Sequence, residues 1–503
     1  MSDLSATSAQ WVLSIRQVIG HDCAMDNWEA SAWALSEHGD SDLGHAARTK
    51  RLVQVASAMI QSPASSIPKA MDSAAQMKGA YRFLSNLKVH SDGILSGHCR
   101  RTAERCLAYA DVLILQDTTT LTFNTRKALK DAGPTNDGSK TKGFFAHTSL
   151  AVAAVSREVL GVIEQDLWVR SRKKKPANET SRQRKQRQRE SEHWASNQQK
   201  VADVLRQAAT KAEQPAPHII AVFDREGDIF EAMEAMAKIG HSFVIRALRN
   251  RLVEDDDPDQ RHYSLDEVAS APVVGYRPVD VRGRDGHPAR TATLEVRATT
   301  VQLKPPRSSG RKGDSIEVNL VLAREVNAPE GVEPLCWYLV TREPIETREQ
   351  VQRVLEHYEA RWMIEEFHMG LKTGCACEQR QLESVHGLRN FLALATPMAV
   401  RLLQLRDAAR RDLPWKECNI LGSSETAVLE AMRPRMMAKV SSTRELMRVL
   451  ANLGGFVNRN GDPDPGWRTL WRGFERLKTA AMGYDIHARA STPARGRGRG
   501  KQQ

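Results

Sequence analysis

The sequence predicts an α/β core flanked by helical N-terminal and C-terminal domains, and three observations carry that prediction. Short apolar runs with β-branched residues, DVLILQD (111 to 117), TSLAVAAVS (148 to 156) and REVLGVIEQDLWVR (157 to 170), lie between polar turns and read as strands. HIIAVFD (218 to 224) follows a helical segment at 190 to 212, and strands that give way to strand and helix in alternation belong to a mixed sheet covered by helices. Both ends of the chain instead place apolar residues at helical spacing.

Taken in order, residues 1 to 90 form a helical N-terminal domain. Within it LGHAARTKRLVQVASAMI (43 to 60) has one apolar face, with Arg48, Lys50 and Arg51 projecting elsewhere, until the prolines and serines of SPASSIPKA end the pattern. Residues 91 to 385 form the α/β domain. Between 260 and 345 it is interrupted by RTATLEVRATTVQL and SIEVNLVLAREV, which alternate apolar and polar residues beside the turn-rich GRDGHP and KPPRSSGRKGD; this predicts a β-rich antiparallel insertion. Residues 386 to 485 are helical again, ending on Trp467, Trp471, Phe474 and Leu477 at helical spacing. The tail from 486 to 503 is of low complexity and is expected to be disordered.

A chain of 503 residues can bury a substantial core, and 41% hydrophobic with 27% charged residues is ordinary for a soluble globular protein. No apolar run approaches the roughly 18 residues of a membrane span, and the N-terminus lacks a basic region before an apolar core. The expected location is therefore the cytoplasm, with no membrane partner. Seven cysteines, an odd number without framework spacing, argue against disulfides, and Cys375 with Cys377 lacks the second pair of a zinc site. The net charge of +12 is concentrated. Residues 170 to 189 hold ten Lys or Arg against one Glu (+9) and residues 486 to 503 hold five basic residues and no acidic one (+5), so 12 − 14 leaves −2 for the rest. Any DNA-binding groove in the body is then a local cluster, while the two basic segments supply sequence-independent attraction to phosphates or are simply solvated chain.

The most informative stretch is YEARWMIEEFHMGLK, residues 358 to 372. At helical periodicity Tyr358, Arg361, Glu365 and Lys372 share a polar stripe, opposite Ala360, Met363, Ile364, Phe367 and Leu371. Such a helix buries its apolar face and presents a carboxylate flanked by phosphate-binding groups; the alternative is an ordinary solvated charged face. Asp117 and Asp224 end two of the strand-like runs, where an α/β sheet collects functional groups and where an Asp also serves as a cap or turn former.

The spacing Tyr358, Arg361, Glu365, Lys372 resembles the Y-R-E-K signature of the insertion-sequence-four family of bacterial DDE transposases, the family of the transposon-five enzyme. LILQDTTTLTF around Asp117 and IIAVFDREGDIF around Asp224 match in the family's order, and weaker similarity runs through GAYRF, LCWYLVTREP, VRLLQLRD and LGGF. The family implies a ribonuclease-H-like catalytic core, with the first Asp on the first strand and the second just after the fourth. It also implies an N-terminal module that binds transposon ends, making Arg48 and Arg51 candidates for DNA contact, and a C-terminal dimerisation region. Two features depart from the family: Gly227 in DREGD, where Ala is usual, and the basic run from 170 to 189.

The resemblance implies chemistry as well. Asp117, Asp224 and Glu365 would be catalytic and would bind two Mg²⁺ ions, replaceable by Mn²⁺, with Asp117 bridging. Three carboxylates suit hard cations that keep waters for nucleophile and phosphate. Tyr358, Arg361 and Lys372 would hold phosphates beside the scissile bond, and Trp337 and Trp362 would stack on a flipped base, against the alternative of packing in the core. The expected function is cut-and-paste DNA transposition by a homodimer that pairs two double-stranded element ends at the bacterial nucleoid and joins them to target DNA. A ribonuclease-H-fold nuclease and a non-catalytic DNA-binding regulator are the alternatives.

Overall fold

A computed structural model of the chain describes residues 30–123, 129–135, 141–170, 192–255, 257, 260–281, 288–306, 314–410, 412, 414–417, 421–459 and 464–491. Residues 1 to 29, nearly all of the basic run from 170 to 189 and the Arg/Gly-rich end of the tail lie outside the described residues. The chain divides into two compact units. One comprises residues 1–95, 369–381 and 386–503, the other residues 96–368 and 382–385.

The second unit is mixed α/β and is built on one large sheet. Its strands are β1 (Asp111–Thr122), β2 (Gly133–Pro134), β3 (Lys142–Ala153), β4 (Val159–Trp168), β5 (His218–Phe223), β6 (Ser242–Arg246), β7 (Val273–Val281), β8 (Arg290–Leu303), β9 (Ile316–Val326) and β10 (Cys336–Thr341). They run in the order β2-β3-β1-β5-β6-β10-β9-β8-β7, with β4 off this path and also paired to β3. β3 is antiparallel to both β1 and β4, whereas β1, β5 and β6 are mutually parallel. From β6 onward every pairing is antiparallel, so the alternating segments read as an insertion extend the same sheet through β10 rather than folding apart from it.

Helices in chain order are α1 (Ala30–His38), α2 (Ala46–Ile60), α3 (Ile67–Ala70), α4 (Ala74–Leu84), α5 (Ser91–Cys106), α6 (Glu192–Ala212), α7 (Phe230–Lys238), α8 (Ser264–Ser270), α9 (Arg348–Glu359), α10 (Trp362–Met369), α11 (Val385–Arg410), α12 (Ser423–Met432), α13 (Pro434–Met437), α14 (Thr443–Leu453) and α15 (Trp467–Ser491). Strand alternation assigns the faces of the sheet. Val112 and Ile114 of β1 pack with Val201 and Leu205 of α6, and Phe223 and Phe243 pack with Trp194 of α6 and Met233 of α7. α9 packs on β5 and β6. Its Thr347 caps the Gln350 amide and the Gln350 side chain returns the bond, a reciprocal capping box.

In the first unit α2 buries Leu52, Val55, Ala56, Met59 and Ile60, the helical spacing visible in its sequence. Arg380 ties the loop after α2 in place by donating to the carbonyls of Pro63 and Ser65 while its guanidinium lies 4.4 Å from the Phe391 ring. α14 and α15 share an apolar cluster containing Leu446, Leu450, Phe474 and Leu477. No helix among the described residues is long and apolar enough to cross a membrane. The described cysteines, Cys99, Cys106, Cys336, Cys375 and Cys377, are free thiols.

Burial holds three imidazoles of the second unit below the ordinary histidine value, His147 at about 3 and His241 and His357 at about 4. Between pH 6.5 and those values the unfolded chain binds protons that the folded unit does not, so stability falls as pH drops through this window and is insensitive to these groups above it. Urea midpoints for the wild type are expected to decline from pH 6.5 toward about pH 4.5 more steeply than those of a His241→Asn, His357→Asn double variant. Parallel curves would contradict the assignment.

Candidate functional site

The parallel pairing of β1 with β5 sets the centre of the site. Each pair from Asp111 with His218 to Leu115 with Val222 has the same offset, 218 − 111 = 222 − 115 = 107, and 224 − 117 is again 107. The register of the ladder therefore carries Asp117 opposite Asp224 on neighbouring strands, whose spacing is about 4.8 Å. Val112, Ile114 and Gln116 face α6, Gln116 donating to Asn197 of that helix at 3.0 Å, so alternation points Asp117 to the opposite face.

On that face α9 and α10 supply the remaining groups. The sequence reads as one uniform helix from 358 to 372, but the hydrogen bonds change along it. Amides 361, 363 and 364 bond three residues back, and the Cys375 amide bonds five residues back to Gly370 across the π-helical segment Gly370–Gly374. A fixed 100° per residue assumes bonds four back, so the predicted stripe does not persist as drawn. Tyr358 is buried at 6% exposure with its ring edge-on to Trp337 at 5.7 Å, off the solvent stripe, because a phenol ring has apolar area worth burying. Trp337, on β10, is half-buried, while Trp362 is 54% exposed beside Arg361. Lys372 falls on the π-helical segment in the other compact unit and is half-buried there.

Arg361 and Glu365 keep the four-residue spacing and form an ion pair at 2.5 Å. The Arg361 charge also acts on Asp117 and on Asp224. Burial pushes the Asp117 carboxyl up, but the His368 imidazole, the Thr118 amide and Arg361 outweigh it and leave the group below the ordinary range. Burial and the neighbouring Asp117 charge hold Asp224 above its ordinary range. Each Asp also serves its turn: Asp117 Oδ1 accepts from the Thr118 amide at 2.8 Å, and Asp224 Oδ1 accepts from the Glu226 amide at 2.8 Å as the cap of a short 3₁₀ turn. The capping role and a functional one coexist.

Two adjacent carboxylates whose like charges raise one another's cost of ionisation are the donor set a hard divalent cation suits. Glu365 is engaged by Arg361, and no trio of His, Cys, Asp or Glu among the described residues stands arranged as a finished cage. The aspartate pair fits such an ion, with Glu365 one ion pair away.

Two residues of the Asp224 turn gain roles the sequence did not reveal. A methyl group on Gly227 would sit 2.5 Å from Phe223 Cβ, so Ala, usual in the resembled family, does not fit this turn. Asp228 is buried, accepts from the amides of Leu248 and Arg249 and pairs with Arg251 at 2.5 Å. It fastens the Asp224 turn to the loop after β6.

In the N-terminal module the half-buried Arg48 donates to the Leu43 carbonyl at 2.7 Å, and the half-buried Arg51 guanidinium lies beside Gly79. Among the described residues of this module the exposed Lys and Arg side chains are Lys50, Lys69, Lys78, Arg82 and Lys88. Lys78 and Arg82 sit four residues apart on α4, a spacing that was present within and beside GAYRF.

Residues 30–89 match the family model described as Transposase DNA-binding. That match covers α1 to α4. Among solved structures the chain is similar to a piggyBac transposase synaptic complex with hairpin DNA, at 7% identity and a TM-score of 0.31, over 80% of this chain and 58% of that one. The chain thus spans little more than half the length of that transposase.

Removing the guanidinium of Arg251 leaves the Asp228 carboxylate buried and uncompensated. Arg251→Ala is expected to destabilise the protein by about 3–5 kcal/mol in urea unfolding; a loss below about 1 kcal/mol, the level of an exposed pair, would show that the pair does not fasten the turn.

Proposed function

We propose that this chain is a cut-and-paste DNA transposase of the insertion-sequence-four kind, built on a ribonuclease-H-like core. The observation that carries the proposal is the register of β1 and β5, which brings Asp117 opposite Asp224, both under the charge of Arg361, which also pairs with Glu365. The sheet order supports it: an antiparallel β4-β3-β1 set continued by parallel β5 and β6, with the first Asp on the first strand and the second after the fourth long one. The match of residues 30–89 supports double-stranded DNA as the partner.

Asp117 would hold two Mg²⁺ ions, or Mn²⁺ in their place, with Asp224 and Glu365 each completing one site; such ions supply activation of an attacking oxygen and stabilisation of a leaving one. Arg361, already shared among three carboxylates, holds the non-bridging oxygens of the scissile phosphate, assisted by Tyr358. Water attacks the phosphodiester at each element end, and the bond to the 3′ oxygen breaks. The freed 3′-hydroxyl attacks the opposite strand's phosphodiester and displaces the 3′ oxygen of the flanking DNA, closing a hairpin; water attacks that phosphate and releases the 3′-hydroxyl again, and the 3′ ends then attack target phosphodiesters, each displacing a target 3′ oxygen. Trp362, exposed at the start of α10, offers a ring for a base displaced at the hairpin, and Trp337 braces Tyr358 while presenting the second ring. A homodimer brings two ends together in this reading.

The test is incubation with Mg²⁺ and duplex DNA carrying the element's ends, alongside Asp117→Ala, Asp224→Ala and Glu365→Ala. Hairpins and joined products that disappear in all three variants are expected. Nicks without hairpins would point to a nuclease, and binding without cleavage to a regulator; either result overturns the proposal. For the N-terminal module, Lys78→Ala with Arg82→Ala is expected to weaken DNA binding and to lower the slope of log affinity against log salt by about 1 to 2. An unchanged slope would remove these cations from the DNA contact.

A further inference from the structure

The carboxylate of Asp117 is gripped from two directions. Oδ1 is fixed by the amide of Thr118 on its own strand. Oδ2 faces His368 Nδ1 at 3.6 Å, from α10. His368 lies three residues after Glu365, on the same side of the helix, so one helical turn delivers both groups to the carboxylate cluster. The imidazole is 6% exposed, and its Nε2 is buried with no hydrogen-bond partner among the described residues. A buried ring that leaves one nitrogen unpaired and turns the other toward a carboxylate is placed for that contact, since filling space alone would favour an apolar side chain without the desolvation cost of an orphan nitrogen.

A second imidazole marks the other face of the same strand. His147 of β3 stands opposite Thr118 in the ladder and its Nδ1 lies 2.8 Å from Thr118 Oγ1. Its ring meets Trp194 edge-on at 4.5 Å. Thr118 is thereby anchored on the α6 side, while Asp117 is met on the α10 side. The strand can neither rotate nor slip without breaking one of the two contacts.

We propose that His368 is the positioning residue for Asp117, holding Oδ2 in the orientation in which the carboxylate receives a divalent cation. The inference rests on the function proposed above and adds a residue outside the three carboxylates. Outer partners of ligating carboxylates and imidazoles typically contribute about 10–100-fold to metal affinity or activity.

The experiment uses the full chain with Mn²⁺ as probe. Mn²⁺ affinity is read by calorimetry, the Mn²⁺ concentration for half-maximal nicking is read on end-bearing duplex, and thermal midpoints are recorded for wild type, His368→Leu, His368→Asn and His368→Gln. Leu fills the volume without a nitrogen, Asn places an amide nitrogen near the Nδ1 position, and Gln places one near Nε2. The expected result is a Mn²⁺ requirement raised about 10–100-fold in His368→Leu, largely restored in His368→Asn and not in His368→Gln. A requirement equal to wild type in His368→Leu, or equal defects in the Asn and Gln variants, would overturn the inference and assign the ring to packing. Should His368→Leu fail to fold, the Asn and Gln pair decides alone. A wild type that neither binds Mn²⁺ nor cuts DNA overturns the transposase reading itself, whereas an active wild type matched by His368→Leu overturns only the role of His368.

Discussion

The parallel hydrogen bonding between β1 and β5 is the constraint on which the site depends. Parallel strands need a long crossover, and here the crossover contains β3, β4 and α6 before the chain returns beside β1. The constant offset then leaves no freedom in where the two aspartates stand: a slip of one residue would send one of them to the α6 face and separate the pair. The apolar residues that lock this register, Val112, Ile114, Ile219, Ala221 and Phe223, are all fully or nearly fully buried, so hydrophobic packing on the α6 and α7 side fixes carboxylate geometry on the other.

Much of the α/β pattern was legible because strand signals are local. Apolar β-branched runs at 111 to 117, 148 to 156, 157 to 170 and 218 to 224 became β1, β3, β4 and β5. Pairing is not local, and nothing in the sequence states that β3 lies between β4 and β1 or that the β7 to β9 strands continue the main sheet. The number 107 stood in the sequence as a separation between two aspartates, without meaning until the two strands were seen to be neighbours.

The 358 to 372 stretch shows where periodicity stops informing. Its composition announced a helix, but Gly370 and Gly374 tolerate a π-helical turn and the 361 to 364 amides tighten to three-residue bonds, so the projected angles drift. The Arg361 and Glu365 contact survived because it depends on four residues of spacing only. Tyr358 went inward because its ring outweighs its hydroxyl, a balance that sequence cannot decide. Arg48 and Arg51 were singled out through the resemblance, and sequence does not reveal that Arg48 also donates to the Leu43 carbonyl or that Arg51 lies beside Gly79. His368 sat inside the quoted motif and drew no reading, since a histidine on a helix has no signature until its partner across the fold is known.

The Arg361 guanidinium pairs with Glu365 and its charge acts on Asp117 and Asp224, so these four groups together carry more negative than positive charge. Such a surface repels a polyanion. Affinity for nucleic acid then has to reside in other parts of the chain, among them the exposed cations of residues 30–89, which belong to a different compact unit from the carboxylates. The two sets of charges are in that sense separate inventions within one polypeptide: the cations of residues 30–89 can be changed by substitution without altering the register that holds the aspartates, and the aspartates can be changed without altering those cations.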